Sequence, residues 1–280
     1  VIENSSPAPR ATVDLSDVAE TALLTLQMRA HEARRPDRII DDPVAVQLFD
    51  SIDCDFAKFG SPRRQDVALR ALLFDMTTSA YLRDHPKATV VALAEGFQTS
   101  FHRLDTAGVG HDFRWLTVDL PPMIELRRKL LPPSDRVAVC AQSALDFSWM
   151  DEVDPGDGVF VTAEGLLMYL EPEEAMGLIR ACAKRFAGGQ MMFDLPPAWL
   201  AAWARKGIRT SRQYRMPPMP FNMSPSEAAG LVDTVPGVRA VQNLPLPRGR
   251  GRIFNGVLQA AQQLPLLRSA QPTIVRLDFG

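Results

Sequence analysis

The sequence predicts an α/β fold built on a doubly wound, mostly parallel sheet with helices on both faces. Three observations lead there. From Val90 onward, short β-prone apolar runs alternate with segments of helical period at the spacing of βαβ crossovers, whose hand is right-handed almost without exception. The stretch before Lys87 reads as helices alone. Hydrophobic residues make up 46% of the 280 and charged residues 23%, enough apolar material for a full core and too much for global disorder.

Taken in order, residues 1–12 are polar and proline-bearing and read as a loose tail. From Asp17, Val18, Ala22, Leu26 and Arg29 form one helical stripe that ends in the charged HEARRPDR. Asp42 before Pro43 opens a short helix over Val44–Phe49. Ser61-Pro62 repeats that device ahead of Leu69, Leu72, Leu73, Met76 and Ala80 at helical spacing. Strands follow at Val90–Leu93, Trp115–Val118, Val137–Cys140, Gly158–Ala163 and Gln190–Phe193. Between them, Pro121 and Pro122 open a helix carrying Met123, Ile124 and Leu130. A second starts at Pro172 with Glu173 and Glu174 in its first turn and ends at Gly188-Gly189.

The late part changes character. Trp199–Pro220 is rich in Trp, Arg, Met and Pro, and Ser224-Pro225-Ser226-Glu227 spells a capping box with proline at the first helical position. Val238–Leu244 and Thr273–Phe279 supply two last strands, for seven in all, separated by the PLPRGRGR loop and an apolar helix around Phe254–Leu267. The expected organisation is one domain: a helical cap over residues 1–86, a binding core over 87–195, a lid insertion over 196–235 and the last strands over 236–280.

Composition also excludes. A formal charge of −2 leaves no concentrated basic surface, which argues against nucleic acid. Cys54, Cys140 and Cys182 are widely spaced with no CxxC, and with only four histidines they form neither a disulfide nor a metal pattern. No apolar run approaches the ~20 residues of a membrane span, and no basic-then-apolar leader is present. The expectation is a cytoplasmic protein with a small-molecule partner and no membrane or nucleic-acid partner; its oligomeric state stays open.

Chemistry gathers at VVALAEGFQTS, residues 90–100, where a buried strand meets Gly96 and a polar cluster able to start a helix. In open α/β sheets, ligands bind beyond such strand ends. Asp119 ends the next strand, 23 residues after Gly96, close to the ~20-residue gap at which a carboxylate takes ribose hydroxyls in Rossmann-like folds. A GxGxxG turn is absent, so an adenosine-containing ligand without a pyrophosphate fits better than a dinucleotide. A solvated Asp at a strand end is the competing account.

VVALAEGFQTSFHRL resembles the LGxGLDTRxxRL signature of S-adenosylmethionine-dependent methyltransferases of the leucine carboxyl methyltransferase-like family, matching at Leu93, Gly96, Thr99, Arg103 and Leu104. TVDLPPMIELRRKLL is similar to that family's VDLPxVIxLKRxLL stretch, and TAEGLLMYLEPEEA to its AEGLLMYLxPEE stretch. Arg29, Ala30, Glu32, Asp41, Asp42 and Pro43 fit its upstream RAxE…DDP text. SALDFSWMDEVDP, the YRMPPMP loop and the terminal IVRLDFG resemble the branch acting on aromatic polyketides, the tetracenomycin type.

This resemblance implies a class I methyltransferase sheet and S-adenosyl-L-methionine as donor, released as S-adenosyl-L-homocysteine. It implies an O-methyltransferase acting on a small organic acid, at a carboxyl or hydroxyl oxygen of an aromatic or polyketide-like metabolite. Arg70 falls where the family places an arginine for the donor's α-carboxylate, a group that a guanidinium grips through two bonds; a surface helix arginine is the alternative. Ala94, Glu95 and Gly96 wall the methionine portion, Asp119 with Leu120 takes the ribose, and Ser143, Ala144 and Leu145 cradle adenine. Ala163 and Glu164 close the site from the fourth strand, with Glu164 either accepting from the α-ammonium or bracing the turn. Ala94 stands where the family has a glycine, Glu95 at a small position and Gln98 at a common Asp. A methyl at Ala94 fits if its φ stays negative, and Glu95 either attracts the cationic donor or faces solvent.

Methyl transfer from a sulfonium to an anion cancels charge, so a dry, aligned pocket helps more than an anion hole. A carboxylate acceptor needs no base and a phenol would gain from one; His31, His102 and His111 are near in the text, with structural roles the plainer account. No catalytic residue is assigned. Met168, Tyr169, Arg212 and Tyr214, with Arg215, are candidates to line the acceptor pocket, and Arg248, Arg250 and Arg252 to steer an acidic substrate. Two rival functions remain: a nicotinamide-dependent oxidoreductase, disfavoured by the missing GxGxxG, and a catalytically degenerate cofactor-binding protein, suggested by the altered glycine turn.

Overall fold

The computed structural model describes residues 10–13, 15–62, 64–207, 209, 211–252, 254–256 and 271–280. Its centre is a seven-stranded sheet of β3 (Thr89–Leu93), β4 (Arg114–Asp119), β5 (Val137–Ala141), β6 (Val159–Ala163), β7 (Gln190–Leu195), β8 (Val238–Asn243) and β9 (Thr273–Phe279). The order across the sheet is β5-β4-β3-β6-β7-β9-β8, and only β9 runs antiparallel to its neighbours. β3 pairs with β4 on one side and β6 on the other. The strand order reverses at that point, which opens a crevice beyond the carboxyl ends of both.

Sequence dictates this centre directly. Val90, Val91, Ala92 and Leu93 are all buried, because helices cover both faces, and such a strand reads as a continuous apolar run. On one face pack Phe74 and Leu82 of α3 (Asp66–Asp84) and Phe101 and Leu104 of α4 (Ser100–Thr106). The other face takes α6 (Pro172–Arg185), whose Leu178, Ile179 and Cys182 are fully buried. A Glu171/Glu174 capping box, Pro172 in the first turn and Lys184/Arg185 in the last fix both ends of that helix. Pro121 and Pro122 do start α5 (Pro121–Leu130). Likewise, Ser224 and Glu227 form the capping box of α8 (Pro225–Ala229).

A third cluster belongs to the N-terminal helices. Leu23 and Leu26 of α1 (Asp17–Ala33) meet Leu48 of α2 (Pro43–Ser51), Phe59, Phe97 and Met123. Ala11–Thr12, expected to be loose, instead form the short strand β1, which pairs with β2 (Ile52–Asp53). Asp42 caps α2 by accepting from the Ala45 N–H at 2.9 Å. Ser61-Pro62 does not open α3: that helix begins at Asp66, four residues later, after an uncapped Gln65. Between β7 and α8 lies α7 (Ala198–Arg205), followed by irregular chain. Of the apolar helix expected over Phe254–Leu267, residues 257–267 lie outside the described residues. No described helix is long and apolar enough to cross a membrane.

Candidate functional site

A cavity of about 830 Å³ opens beyond the carboxyl ends of β3, β4, β6 and β7. That lies in the upper part of the roughly 300–1,000 Å³ range of small-molecule sites. Ala94, Glu95, Gly96, Asp119, Leu120, Ser143, Ala144, Leu145, Glu164, Met168, Tyr169 and Arg70 all line it. Chain segments far apart in sequence thus meet as the spacing of the motifs required.

Asp119 is buried at the end of β4. Its Oδ2 accepts the Gly96 N–H at 2.7 Å and its Oδ1 the Leu120 N–H at 2.8 Å. Each oxygen keeps a second lone pair, so the carboxylate can still accept two hydroxyl protons. Burial raises its pKa, against the pull of those two N–H groups. Beyond β5, Ser143 Oγ accepts the Leu145 N–H at 3.2 Å and its carbonyl the Asp146 N–H at 3.0 Å.

Arg70 is more engaged than a free carboxylate receptor would be. Its Nε donates to Glu164 at 3.0 Å and its Nη1 to Asp194 at 2.9 Å. Burial lowers its pKa, but Asp194 and Glu164 outweigh burial and raise it. Asp194, near the end of β7, also accepts the Gly165 N–H at 2.7 Å, and Gln98 Nε2 donates to Glu164 at 2.8 Å. Gly165 sits at φ +69°, where a Cβ would lie 3.6 Å from Arg70 Nη2. One guanidinium between two carboxylates leaves this corner one negative charge in excess. That suits a ligand carrying sulfonium, ammonium and carboxylate, whose own sum is one positive charge; the residues present therefore fit an S-adenosylmethionine donor.

Several placements differ from expectation. Ala94 takes φ +47°, the left-handed region, rather than the negative φ a methyl prefers. Glu95 neither faces solvent nor stands open to a cation: its side chain is buried, ion-paired to Arg127 at 2.8 Å, and bonded by Thr117 Oγ1 at 2.5 Å. Gly96, at φ +55°, lines the cavity and also leaves room for the cap, since an added Cβ would meet Ala22 of α1 at 3.0 Å. Ala163 is fully buried in the core beside α6 and is not among the cavity-lining residues. Arg212 is exposed, and Tyr214 packs edge-on against Phe59; both border a separate cleft with Arg209 and Arg215. His31, His102 and His111 do not line the cavity. Arg250 is bound by Glu32 and Asp37, which removes it as a steering charge.

The spacing of motifs alone missed Asp194 and a buried ionic network. Asp42 holds Arg29 at 2.9 Å and Arg103 at 2.7 Å, Thr99 Oγ1 lies 2.7 Å from Asp42, and Arg103 continues to Asp75 at 2.6 Å. Arg29 Nη2 also donates to the Phe97 carbonyl at 2.6 Å. These residues include the upstream and glycine-turn motif positions, so part of the motif text encodes the joint between helical cap and sheet. A carboxyl among two arginines and a Thr in the motifs was the available signal. Asp194, one residue before the end of β7 where Asp119 is the last of β4, gave only that weaker one.

Fold, cavity and motif positions together define a class I methyltransferase that uses S-adenosyl-L-methionine. The profile of the leucine carboxyl methyltransferase family matches residues 22–183, and the chain belongs to that family. It is 31% identical over 230 residues to the tetracenomycin polyketide synthesis O-methyltransferase TcmP of Streptomyces glaucescens, a match covering 81% of this chain and 83% of that one. It is 28% identical to the S-adenosyl-L-methionine-dependent methyltransferase dpfgK of Gibberella zeae, over 69% of this chain and 71% of the relative. A crystal structure of a methyltransferase from Thermobifida fusca superimposes with a TM-score of 0.55 at 15% identity, covering 92% of this chain and 94% of that one; it shows the fold alone.

Proposed function

We propose that the protein transfers the methyl group of S-adenosylmethionine to a carboxyl or hydroxyl oxygen of an aromatic, polyketide-like acid. The observation that carries this reading is the cavity's second half. Beyond the charged donor corner, its lining turns apolar and aromatic, with Phe74, Met168, Tyr169, Trp199, Met216 and Met219. Flat rings stack well on such side chains, and Met adapts to irregular ones. The relative TcmP, named for tetracenomycin polyketide synthesis, supports the same acceptor class.

In this reading Asp119 accepts the ribose hydroxyls, Ser143, Ala144 and Leu145 flank the adenine, and Glu164 with Asp194 faces the α-ammonium. Arg70 offers its remaining N–H groups to the α-carboxylate while bracing both acids. The donor supplies the methyl on a sulfonium; the chain aligns it and keeps water out. Tyr169, bonded to Thr21 and pushed by burial up to about 12, stays protonated and serves as a wall and hydrogen-bond donor. Residues 196–235 act as the lid of a single domain.

Two measurements test this. Calorimetry should show S-adenosylhomocysteine binding to the purified protein. A screen with methyl-labelled donor should label aromatic acids or phenols. Donor binding without labelling of either class would leave a binding protein, and labelling confined to non-aromatic acceptors would remove the acceptor assignment.

A further inference from the structure

The donor turn holds a strained residue, and the groups around it show why the strain persists. Ala94 sits at φ +47°, where the Cβ of an L-residue crowds the following carbonyl. Such a conformation survives only where the surroundings over-determine it. The Ala94 N–H is fixed on the Val118 carbonyl at 2.8 Å. The next side chain, Glu95, folds back beneath the turn, where its Oε2 accepts from Thr117 Oγ1 at 2.5 Å and Trp115 Nε1 at 3.3 Å. Arg127 of α5 pairs with that same oxygen at 2.8 Å and donates to the carbonyls of Gly96 at 2.6 Å and Gln98 at 3.0 Å. One carboxylate, set between the two left-handed residues, and one guanidinium, bound to the carbonyls of the second of them and of Gln98, therefore hold the turn.

We propose that Glu95 and Arg127 are positioning residues whose ion pair holds Ala94 left-handed and thereby sets the affinity for the methyl donor. The proposal rests on the donor reading of the cavity. It accounts for two departures from the family pattern at once: alanine in place of glycine demands a clamp, and a carboxylate at a normally small position supplies it. Without the clamp, an alanine turn relaxes toward negative φ, and the Gly96 N–H moves relative to Asp119. A glycine at this position has no such preference and stays in place. A carboxylate that merely neutralised Arg127 would be indifferent to the residue preceding it.

Four proteins decide between these accounts: the natural chain, Ala94→Gly, Glu95→Gln and the double variant. The readouts are the Kd for S-adenosylhomocysteine by calorimetry and the ligand-free Tm. Glu95→Gln should raise Kd about tenfold in the natural chain and less than about twofold in the Ala94→Gly background, a non-additivity typical of coupled neighbours. Thr117→Val, which removes one donor to the clamp and no charge, should follow the same pattern with a smaller effect. Equal losses in the two backgrounds, or no loss in the natural chain, would overturn the clamp. If the natural chain fails to bind the ligand, the donor reading falls, and the ligand-free Tm values still judge the clamp: additive losses reject it, and rescue by Ala94→Gly supports its hold on the backbone.

Discussion

Two walls of one cavity are built by different means. The donor wall, residues 93–99 with the ends of β4, β6 and β7, is cross-linked by charge-assisted hydrogen bonds among Asp42, Arg29, Arg103, Glu95, Arg127 and Asp119. Across from it, the described residues of 196–223 pack through Trp, Met, Phe and Pro. Among the described residues the segment's polar anchors to the body are single bonds to backbone carbonyls, Ser211 Oγ donating to Lys58, the Phe221 N–H to Met168 at 3.4 Å and Thr273 Oγ1 to Met223 at 2.8 Å, while Asn222 Nδ2 on the Pro196 carbonyl at 2.5 Å closes the segment on itself. Directional bonds fix one geometry, whereas apolar contact tolerates several. In the proposed function, a donor with a fixed pattern of charges and a flat, largely apolar acceptor call for that division.

The largest effect should come from breaking the donor wall at its root. Asp42 is wholly buried between two arginines. Burial pushes its carboxyl up, but Arg103, Arg29, Thr99 and the Ala45 N–H together outweigh burial and hold it below the usual carboxylate range. Asp42→Ala leaves two buried guanidiniums without their shared counter-charge, and breaking such a pair costs about 3–5 kcal/mol. Thermal unfolding should fall by roughly 10 °C. A fall under about 2 °C would mean the network is solvated and the two walls are alike. The stabilisation from the lowered carboxyl is present above about pH 4 and disappears as pH falls through its depressed value.

Next in size is Asp119. Asp119→Ala removes the acceptor for two backbone N–H groups and, in the proposed function, for two ribose hydroxyls. At about 1.5–3 kcal/mol per bond to a charged group, donor Kd should rise about a hundredfold or more. Calorimetry that finds the affinity unchanged would place the ribose elsewhere. Burial raises this carboxyl, so protonation begins above the ordinary value of about 3.9. Donor affinity should therefore weaken, as pH falls, at a higher pH than an exposed Asp would dictate. Stability without donor runs the other way: the folded state holds its proton longer than the unfolded one, so stability declines as pH rises across that window. Asp119→Asn should abolish the donor-affinity transition.

The contrast also explains what could be read from residues alone. β3 to β7 follow from apolar runs bounded by turn signals, and Asp119 from its distance to Gly96, because both depend on local periodicity and chain spacing. Asp42, Arg29 and Arg103 stand in the motif text, yet their ionic joint requires α1, α2 and α4 to converge in space. Ala94 misled for a related reason. Alanine prefers negative φ, and the left-handed value is set against tertiary contacts that the spacing of residues does not show, among them the Ala94 N–H on the Val118 carbonyl and the Glu95–Arg127 pair beside the turn. Arg212 and Tyr214 misled because an irregular segment has no period from which to infer facing; Tyr214 turns toward Phe59 instead.

The smallest effect tests the acceptor wall. Trp199 lines the cavity from α7 while remaining 48% exposed, and it meets Trp203 edge-on at 5.5 Å between ring centroids. Little of the fold rests on a half-exposed ring, so Trp199→Ala should move Tm by no more than about 2 °C. An aromatic contact with a flat acceptor is worth about 0.5–1.5 kcal/mol, which corresponds to an acceptor KM raised about two- to tenfold. The donor Kd should stay within about twofold, because substitutions at well-separated sites act independently. Weakened donor binding in this variant would show that α7 closes on both ligands, and the two walls would then be mechanically coupled. An unchanged acceptor KM would move the aromatic end of the acceptor away from α7, toward Phe74 and the α3 side of the cavity.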